Sequence, residues 1–340
     1  MKISEFVEKA LFDEDNGYYK TKNPIGGSSD FITSPEVSQV FGELLAAYIL
    51  HAISGYKGEI SFVEMGAGRG VLFYDILYTF QKLAKKDNEI DLLLKNINFN
   101  IIEINPVLRK VQKEKLDAFG VNFYENFDKF EKENSDRKII FISNELFDCF
   151  AVDQYILSEG GWRERVIVND GKNRCFSLAP FNKKINEFVK TQIGNVWVPL
   201  GGVYEYSKSA REFMQKLCNI LKCRGGLAIN IDYGYNKNLF VNSLQALKNH
   251  KKCDVLEDPG NVDITAHVDF EALDKIAFNY GLNRSFVSQK EFLLALGIEN
   301  RRKILLEKNQ EKEKEINLAV DRLIKSDEMG DLFKVHILWK

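Results

Sequence analysis

Residues 60–65 form a short apolar run, broken only by Ser61 and Glu64, that leads straight into Gly66-Ala67-Gly68-Arg69-Gly70. From Val71 to about residue 86 the apolar positions then recur at helical spacing. A buried strand, a tight glycine turn and a helix in that order place the chain among α/β folds. The alternation repeats. Residues 99–104 read as a second strand, Pro106 opens a helix to about residue 119, and 121–124 read as a third strand. Residues 138–143, 227–232 and 284–287 read as further strands, and the closing FKVHILW as the last. The pattern predicts a doubly wound, mostly parallel seven-stranded sheet.

The remaining segments predict additions to that sheet. Residues 3–11 have the spacing of a short amphipathic helix, and residues 23–30 carry turn signals. Ser34 is placed to N-cap a helix with Pro35 at its first position, where the missing N–H costs nothing. Gly26-Gly27 upstream would act as a tether. Between the fourth and fifth strands, residues 149–222 are too many for a simple crossover. Their Gly-containing turns between apolar/polar runs predict antiparallel hairpins. Residues 233–266, around Pro259-Gly260, read as irregular, 268–280 as helix, and 300–325 as a charge-rich helix with a solvated face. The expected division is an N-terminal helical lid segment (1–58), a core (59–148 and 223–340) and an inserted substrate-side subdomain (149–222).

A net charge of −2 gives no strong nucleic-acid signal. No apolar run approaches the roughly 20 residues of a membrane span, and the N-terminus lacks the layout of a signal or transit peptide. The five cysteines are scattered, with no C-x-x-C pair. Reduced thiols, a cytoplasmic location and no metal site are the expectations.

The glycine loop reads G-x-G-x-G, which is neither the dinucleotide fingerprint nor a P-loop. Glu64, two residues before it, would repel a pyrophosphate but favour a cationic ligand. S-adenosyl-L-methionine carries a sulfonium and an ammonium and no phosphate, so the pattern suits that cofactor. The second strand runs into Glu103, the position from which a carboxylate accepts both ribose hydroxyls on this architecture. After the fourth strand comes Asn144-Glu145-Leu146-Phe147-Asp148 in place of the Asn/Asp-Pro-Pro-aromatic motif of nucleic-acid amino-methylating enzymes. Two carboxylates suit a guanidinium, whose planar fork pairs with them bidentately. Glu145 and then Asp148 are the candidate catalytic groups, with Glu36 and Glu43 behind them. His267 is a further candidate, as proton acceptor or as a structural cap of its turn, and Asp269 reads as a helix cap.

Residues 33–43 (TSPEVSQVFGE), Glu64 to Gly70, the Asn144–Asp148 motif, Trp162-Arg163-Glu164-Arg165, residues 263–270 (DITAHVDF) and 329–335 (MGDLFKV) together resemble the MidA-like S-adenosylmethionine-dependent methyltransferases. That family includes a mitochondrial complex I assembly factor that methylates a protein arginine. The resemblance implies a class I methyltransferase fold, with Gly66, Gly68 and Gly70 in the cofactor loop and Glu103 on the ribose. It implies that Ser34-Pro35-Glu36 begins a lid over the cofactor and that Glu145 lines the substrate side; Glu64 and Asn144 are expected on the cofactor side. The expected substrate is a protein arginine. The alternatives are a small-molecule methyltransferase and a cofactor-binding assembly protein with little catalysis.

Overall fold

A computed structural model describes residues 1–21, 33–171, 173–237, 239–248 and 251–340. The loop expected at 23–30, the Gly26-Gly27 tether and Phe31 lie outside these residues.

Seven strands make the central sheet: β1 (Ile60–Met65), β2 (Ile97–Ile102), β3 (Asn122–Tyr124), β4 (Lys138–Asn144), β5 (Gly226–Tyr235), β6 (Asn283–Ser288) and β7 (Phe333–Trp339). Their order is β3-β2-β1-β4-β5-β7-β6. β1 to β5 are parallel, and β7 runs antiparallel between β5 and β6. Val268–Asp269 adds a short parallel pairing at the end of β5. This is the expected doubly wound sheet.

The strands are apolar because both faces are covered. Phe62 of β1 packs against Phe73, Phe80 and Phe99 at ring separations of 5.0, 6.0 and 6.3 Å. Its neighbour Val63 points to the opposite core, with Phe141, Met214 and Leu217. Strand order reverses between β1 and β4, which opens a crevice at the carboxyl ends of β1, β2, β4 and β5.

The added parts differ from expectation in five places, the first being the charge-rich helix expected at 300–325, which is two helices, Ile298–Lys308 and Glu313–Ile324, separated by a 3-10 turn at Gln310–Lys312. The helix expected from Ser34 is two. Ser34–Val37 is a single turn that starts after Thr33, and Gln39–Ile53 restarts after Ser38. Ser38 is extended, and its hydroxyl accepts from the Val40 N–H at 3.3 Å, so the serine caps the second piece. The segment 1–58 packs in two places. Residues 39–53 lie on the central sheet, whereas Ile3–Phe12 shares a core with Ala151, Val152, Ile167 and Ile264. Within 149–222, a four-stranded antiparallel sheet (Asp153–Ser158, Gly161–Asn169, Arg174–Leu178, Val203–Tyr206) forms the insertion. The helix Lys208–Arg224 instead packs through Phe213, Met214, Leu217 and Leu221 on the central sheet. Finally, residues 233–266 are not irregular throughout. Gln245–Lys248, Lys251–Cys253 and Asp263–Thr265 form a small antiparallel sheet of strands too short for a periodicity signal. Among the described residues no helix is long and apolar enough to cross a membrane.

Candidate active site

The glycine loop closes the crevice at β1. Gly66, Gly68 and Gly70 have φ of 73°, 53° and 73°, the left-handed region where a β-carbon is strained. A β-carbon on Gly66 would also stand 3.1 Å from Leu146 Cδ1. The Gly66 N–H donates to the Ile102 carbonyl at 3.0 Å, which pins the loop to the end of β2. Glu103, just beyond that end, is buried. Its Oε1 accepts from the Asn105 N–H at 2.9 Å and its Oε2 from Gln112 Nε2 at 3.2 Å. The same Gln112 amide donates to the Gly68 carbonyl at 2.7 Å. Burial pushes the Glu103 carboxyl up to about 7. Glu64 is pushed to about 8, by burial first and then by the facing Glu103.

Glu64, Asn144 and Pro35 line one recess beneath the loop. Glu64 Oε2 and Asn144 Oδ1 are buried acceptors without a hydrogen-bond partner. Glu36 Oε1 at the same recess is likewise without a hydrogen bond and lies 3.8 Å from Arg69. A pair of buried acceptors left unmatched is costly in an isolated chain and is relieved by a ligand that brings donors.

The end of β4 builds the other wall. Asn144 Nδ2 donates to Glu145 Oε1 at 3.0 Å, and the Ser34 backbone N–H also bonds the Glu145 carboxylate. Glu145 itself has φ of 54°, a strained conformation for a residue with a β-carbon. Asp232, fully buried at β5, holds the loop in that shape. Its Oδ2 accepts from the N–H groups of Leu146, Phe147 and Asp148 at 3.1, 2.8 and 3.2 Å. Asp148 Oδ2 accepts from the Tyr233 hydroxyl at 2.6 Å, and Cys149 Sγ lies 3.2 Å from both Asp148 Oδ1 and the Tyr19 hydroxyl. Tyr19 donates to Asp263 at 2.8 Å. Burial, then Asp148, pushes Glu145 up to about 8, and burial raises Asp148 as well.

These groups meet around a cleft of about 510 Å³ that reaches from the glycine loop to the N-terminal helix. Among the described residues its wall carries Glu8, Glu14, Glu103, Glu145, Asp148 and Asp263 against one basic side chain, Lys20, and adds the faces of Phe12, Tyr19, Phe150 and Tyr233. Carboxylates and aromatic faces together suit a planar cation.

The structure gathers most of the candidate residues and separates others. Gly66, Gly68, Glu103, Glu145 and Asp148 line the cleft, and Pro35, Glu64 and Asn144 the adjoining recess. Gly70 turns away from it and begins the helix Val71–Ala84 in the left-handed conformation. The Ser34 side chain is buried in the opposite direction, against Gln289 at 3.3 Å and Met329 at 3.8 Å. Its contribution to the wall is the backbone N–H, and the turn it begins is anchored to the C-terminal helices. His267 does not line the cleft. Its ring stands edge-on to Tyr233 at 5.5 Å, and its backbone N–H bonds Ser243. Burial, with Lys252, depresses its pKa. Asp269 caps the helix Phe270–Asn279 through the Ala272 N–H and pairs with Arg211. Glu43 is tied up by Arg301 at 2.7 and 3.0 Å.

Four contributors escaped the sequence reading: Gln112, Asp232, Tyr19 and Tyr233. Two carried a signal. Gln112 stands on the otherwise apolar stripe Leu108–Gln112–Leu116, and Asp232 follows the buried run Leu227–Ile231, apolar except for Asn230.

Comparison with known proteins bears on the family and the fold. Residues 44–287 match the model of a family described as "Putative S-adenosyl-L-methionine-dependent methyltransferase". The chain is 30% identical over 356 residues to the zebrafish (Danio rerio) mitochondrial protein arginine methyltransferase NDUFAF7, covering 98% of this chain and 82% of that protein. It is 28% identical to the human protein of the same name, covering 99% and 79%. A crystal structure from Burkholderia thailandensis with bound S-adenosyl-homocysteine superposes with a TM-score of 0.84 at 24% identity, over 100% of this chain and 88% of that one. It shares the fold. The expected cytoplasmic location is corrected by the same comparison: both NDUFAF7 relatives are named mitochondrial.

Proposed function

This chain belongs to the S-adenosyl-L-methionine-dependent methyltransferases, and on that premise we propose that it places the methyl group on the guanidinium of a protein arginine. The observation that carries the reading is the pairing of two neighbouring sites. One is a recess whose buried Glu64 and Asn144 oxygens lack donors. The other is an acidic, aromatic cleft that begins at Glu145. The first fits an ammonium-bearing cofactor, the second a planar cation. The arginine named in its relatives supports the same choice of acceptor.

In this reading Gly66 and Gly68 let the backbone approach the cofactor, and Glu103 accepts the two ribose hydroxyls through the lone pairs that Asn105 and Gln112 leave open. Glu64, with Asn144, receives the ammonium, and Pro35 closes the recess. S-adenosyl-L-methionine, when bound, supplies an electrophilic methyl on sulfur. Glu145 orients the guanidinium by accepting its N–H groups, and Asp148, kept in place by Tyr233, holds its other edge. The nitrogen that gains the methyl sheds one proton, and the raised pKa values of Glu145 and Asp148 suit them to receive it. His267 has no direct part. The N-terminal segment forms the substrate side, since Glu8, Phe12 and Glu14 line the far end of the cleft, whereas the inserted sheet contributes no residue to it. Incubating the protein with labelled cofactor and its native cell extract, followed by mass spectrometry of modified peptides, tests the proposal. Methylarginine is expected; label confined to small molecules would overturn the arginine acceptor and leave the cofactor assignment standing.

Two results concern the cofactor half alone. Glu103→Ala removes a charge-assisted acceptor for two hydroxyls and should weaken S-adenosyl-homocysteine binding by about 1.5–3 kcal/mol, roughly 10- to 150-fold. Unchanged calorimetric affinity in a folded variant would remove Glu103 from the ribose. The second is pH dependence. Glu64 and Glu103 titrate at about 8 and about 7 in the free protein against an ordinary 4.5. Their contribution to stability is therefore full below 4.5 and is lost as pH rises through 7 to 8. A cation in the recess favours the ionised Glu64. Raising the pH from 6 to 8.5 should therefore increase affinity and enlarge the rise in melting temperature that the ligand gives. A ligand-induced rise independent of pH across that window would refute the contact with Glu64.

A further inference from the structure

We infer that Gln112 is a positioning residue for the cofactor: it holds the Glu103 carboxyl group aimed and locks it in register with the glycine loop. The inference rests on the cofactor reading above. Gln112 is fully buried on the helix Pro106–Leu116, between Leu108 and Leu116, where the packing alone would accept a leucine. Its Nε2 makes both of its bonds, to the Gly68 carbonyl at 2.7 Å and to Glu103 Oε2 at 3.2 Å, while Oε1 has no partner. The orientation is unambiguous. Turning the amide over would set its oxygen against a carbonyl and a carboxylate, two acceptors facing an acceptor. A buried amide that leaves its own oxygen unmatched is present for its two donors. Those donors bridge the two parts of the cofactor site that arise from different strands, the loop after β1 and the acid after β2.

The bridge has an electrostatic consequence. Glu103 sits in a buried environment that opposes its charge. The groups facing it are Glu64 from β1, which repels it, Arg109 from its own side of the crevice, which favours the anion, the backbone N–H groups of Ile104 and Asn105, and Gln112. Arg109 also lies 3.7 Å from Glu125, so its support is shared. Without the Gln112 donor the carboxyl would keep its proton to higher pH and lose one of the acceptors that two hydroxyls need. The Cγ of Gln112 also lies 3.4 Å from where a β-carbon on Gly70 would stand, so the side chain backs the loop from Gly68 to Gly70.

The test is calorimetric titration of the full chain with S-adenosyl-homocysteine between pH 6 and 9. Gln112→Met keeps the length and removes the donors. It should bind about 5- to 30-fold more weakly at pH 7, with the loss shrinking toward pH 9 as Glu103 ionises unaided. In a Glu103→Ala background the same change should cost less than about twofold, because the two residues act as one unit. Gln112→Glu provides a second check that preserves volume and polarity. Protonated, it can donate to one of the two partners; ionised, it repels Glu103, so its affinity should fall as pH rises, opposite to the wild-type trend. Full and equal penalties from Gln112→Met with and without Glu103, or wild-type pH slopes in both Gln112 variants, would show that Gln112 only packs the loop and would overturn the inference. Absence of binding by the wild-type protein would overturn the cofactor reading itself, and this inference with it.

Discussion

Glu145→Gln should lower methyl transfer 10²- to 10³-fold, a loss of about 2.7–4 kcal/mol of transition-state stabilisation, by analogy with removal of a single preorganised electrostatic group. The substitution keeps size and the Asn144 contact but removes the charge that fixes the guanidinium and the base that takes its proton. It should leave S-adenosyl-homocysteine affinity nearly unchanged, because the Glu145 side chain serves the acceptor. Asp148 is the nearest fallback and is less free, since Tyr233 already occupies one oxygen and Cys149 approaches the other. The measurement is initial rate of methyl incorporation into the protein substrate, beside a cofactor titration. Turnover within threefold of wild type would assign the proton to Asp148 or to solvent.

Gly68→Val should abolish measurable cofactor binding, with a fall of more than about 100-fold. Two costs combine. A β-branched residue at φ of 53° is strained by about 1–3 kcal/mol. Its side chain also fills the space through which the backbone meets the ligand. Most of the fold should survive, because the loop lies at the edge of the crevice and contributes only Ala67, not Gly68, to the cores on either side of the sheet. Retained far-ultraviolet dichroism with no calorimetric signal is the expected pair of results. Binding at wild-type strength in a folded Gly68→Val protein would remove the glycine loop from the site.

The sequence was most readable where structure is local. β1, its glycine turn and the following helix follow from one continuous stretch, and Ile60–Met65 is the strand expected to the residue. Glu64, Glu103, Asn144 and Glu145 are legible for a related reason: each stands at the end of a strand, and strand ends in a parallel sheet converge on one edge. What stayed hidden depends on partners far along the chain. Gln112 looks like a defect in an apolar stripe until Gly68 and Glu103 are placed against it. Asp232 looks like the last residue of a strand until the loop after β4 settles onto its carboxylate. Ser34 was assigned from its residue type, which favours capping, but the hydroxyl has a buried partner in Gln289, and that contact spans 255 residues. The small sheet near residues 245–265 was missed because strands of three or four residues carry too little alternation to distinguish them from loop.

The Asp232 clamp also bears on how the protein acquires its activity as it folds. Everything that would hold the adenosine lies between residues 60 and 116, in one unit of two strands and three helices with short connections. The shape of the acceptor loop, by contrast, depends on bonds between Asp232 and residues 146–148 that span 84 to 86 positions, with the whole inserted sheet between them. Contacts of such separation incur their loop-closure entropy before they return any stabilisation, and they form late. The adenosine part of the site is thus a low-contact-order unit and the chemical half a high-contact-order one. A chain arrested before β5 docks beside β4 would hold a formed cradle next to a reaction centre that has not yet been assembled.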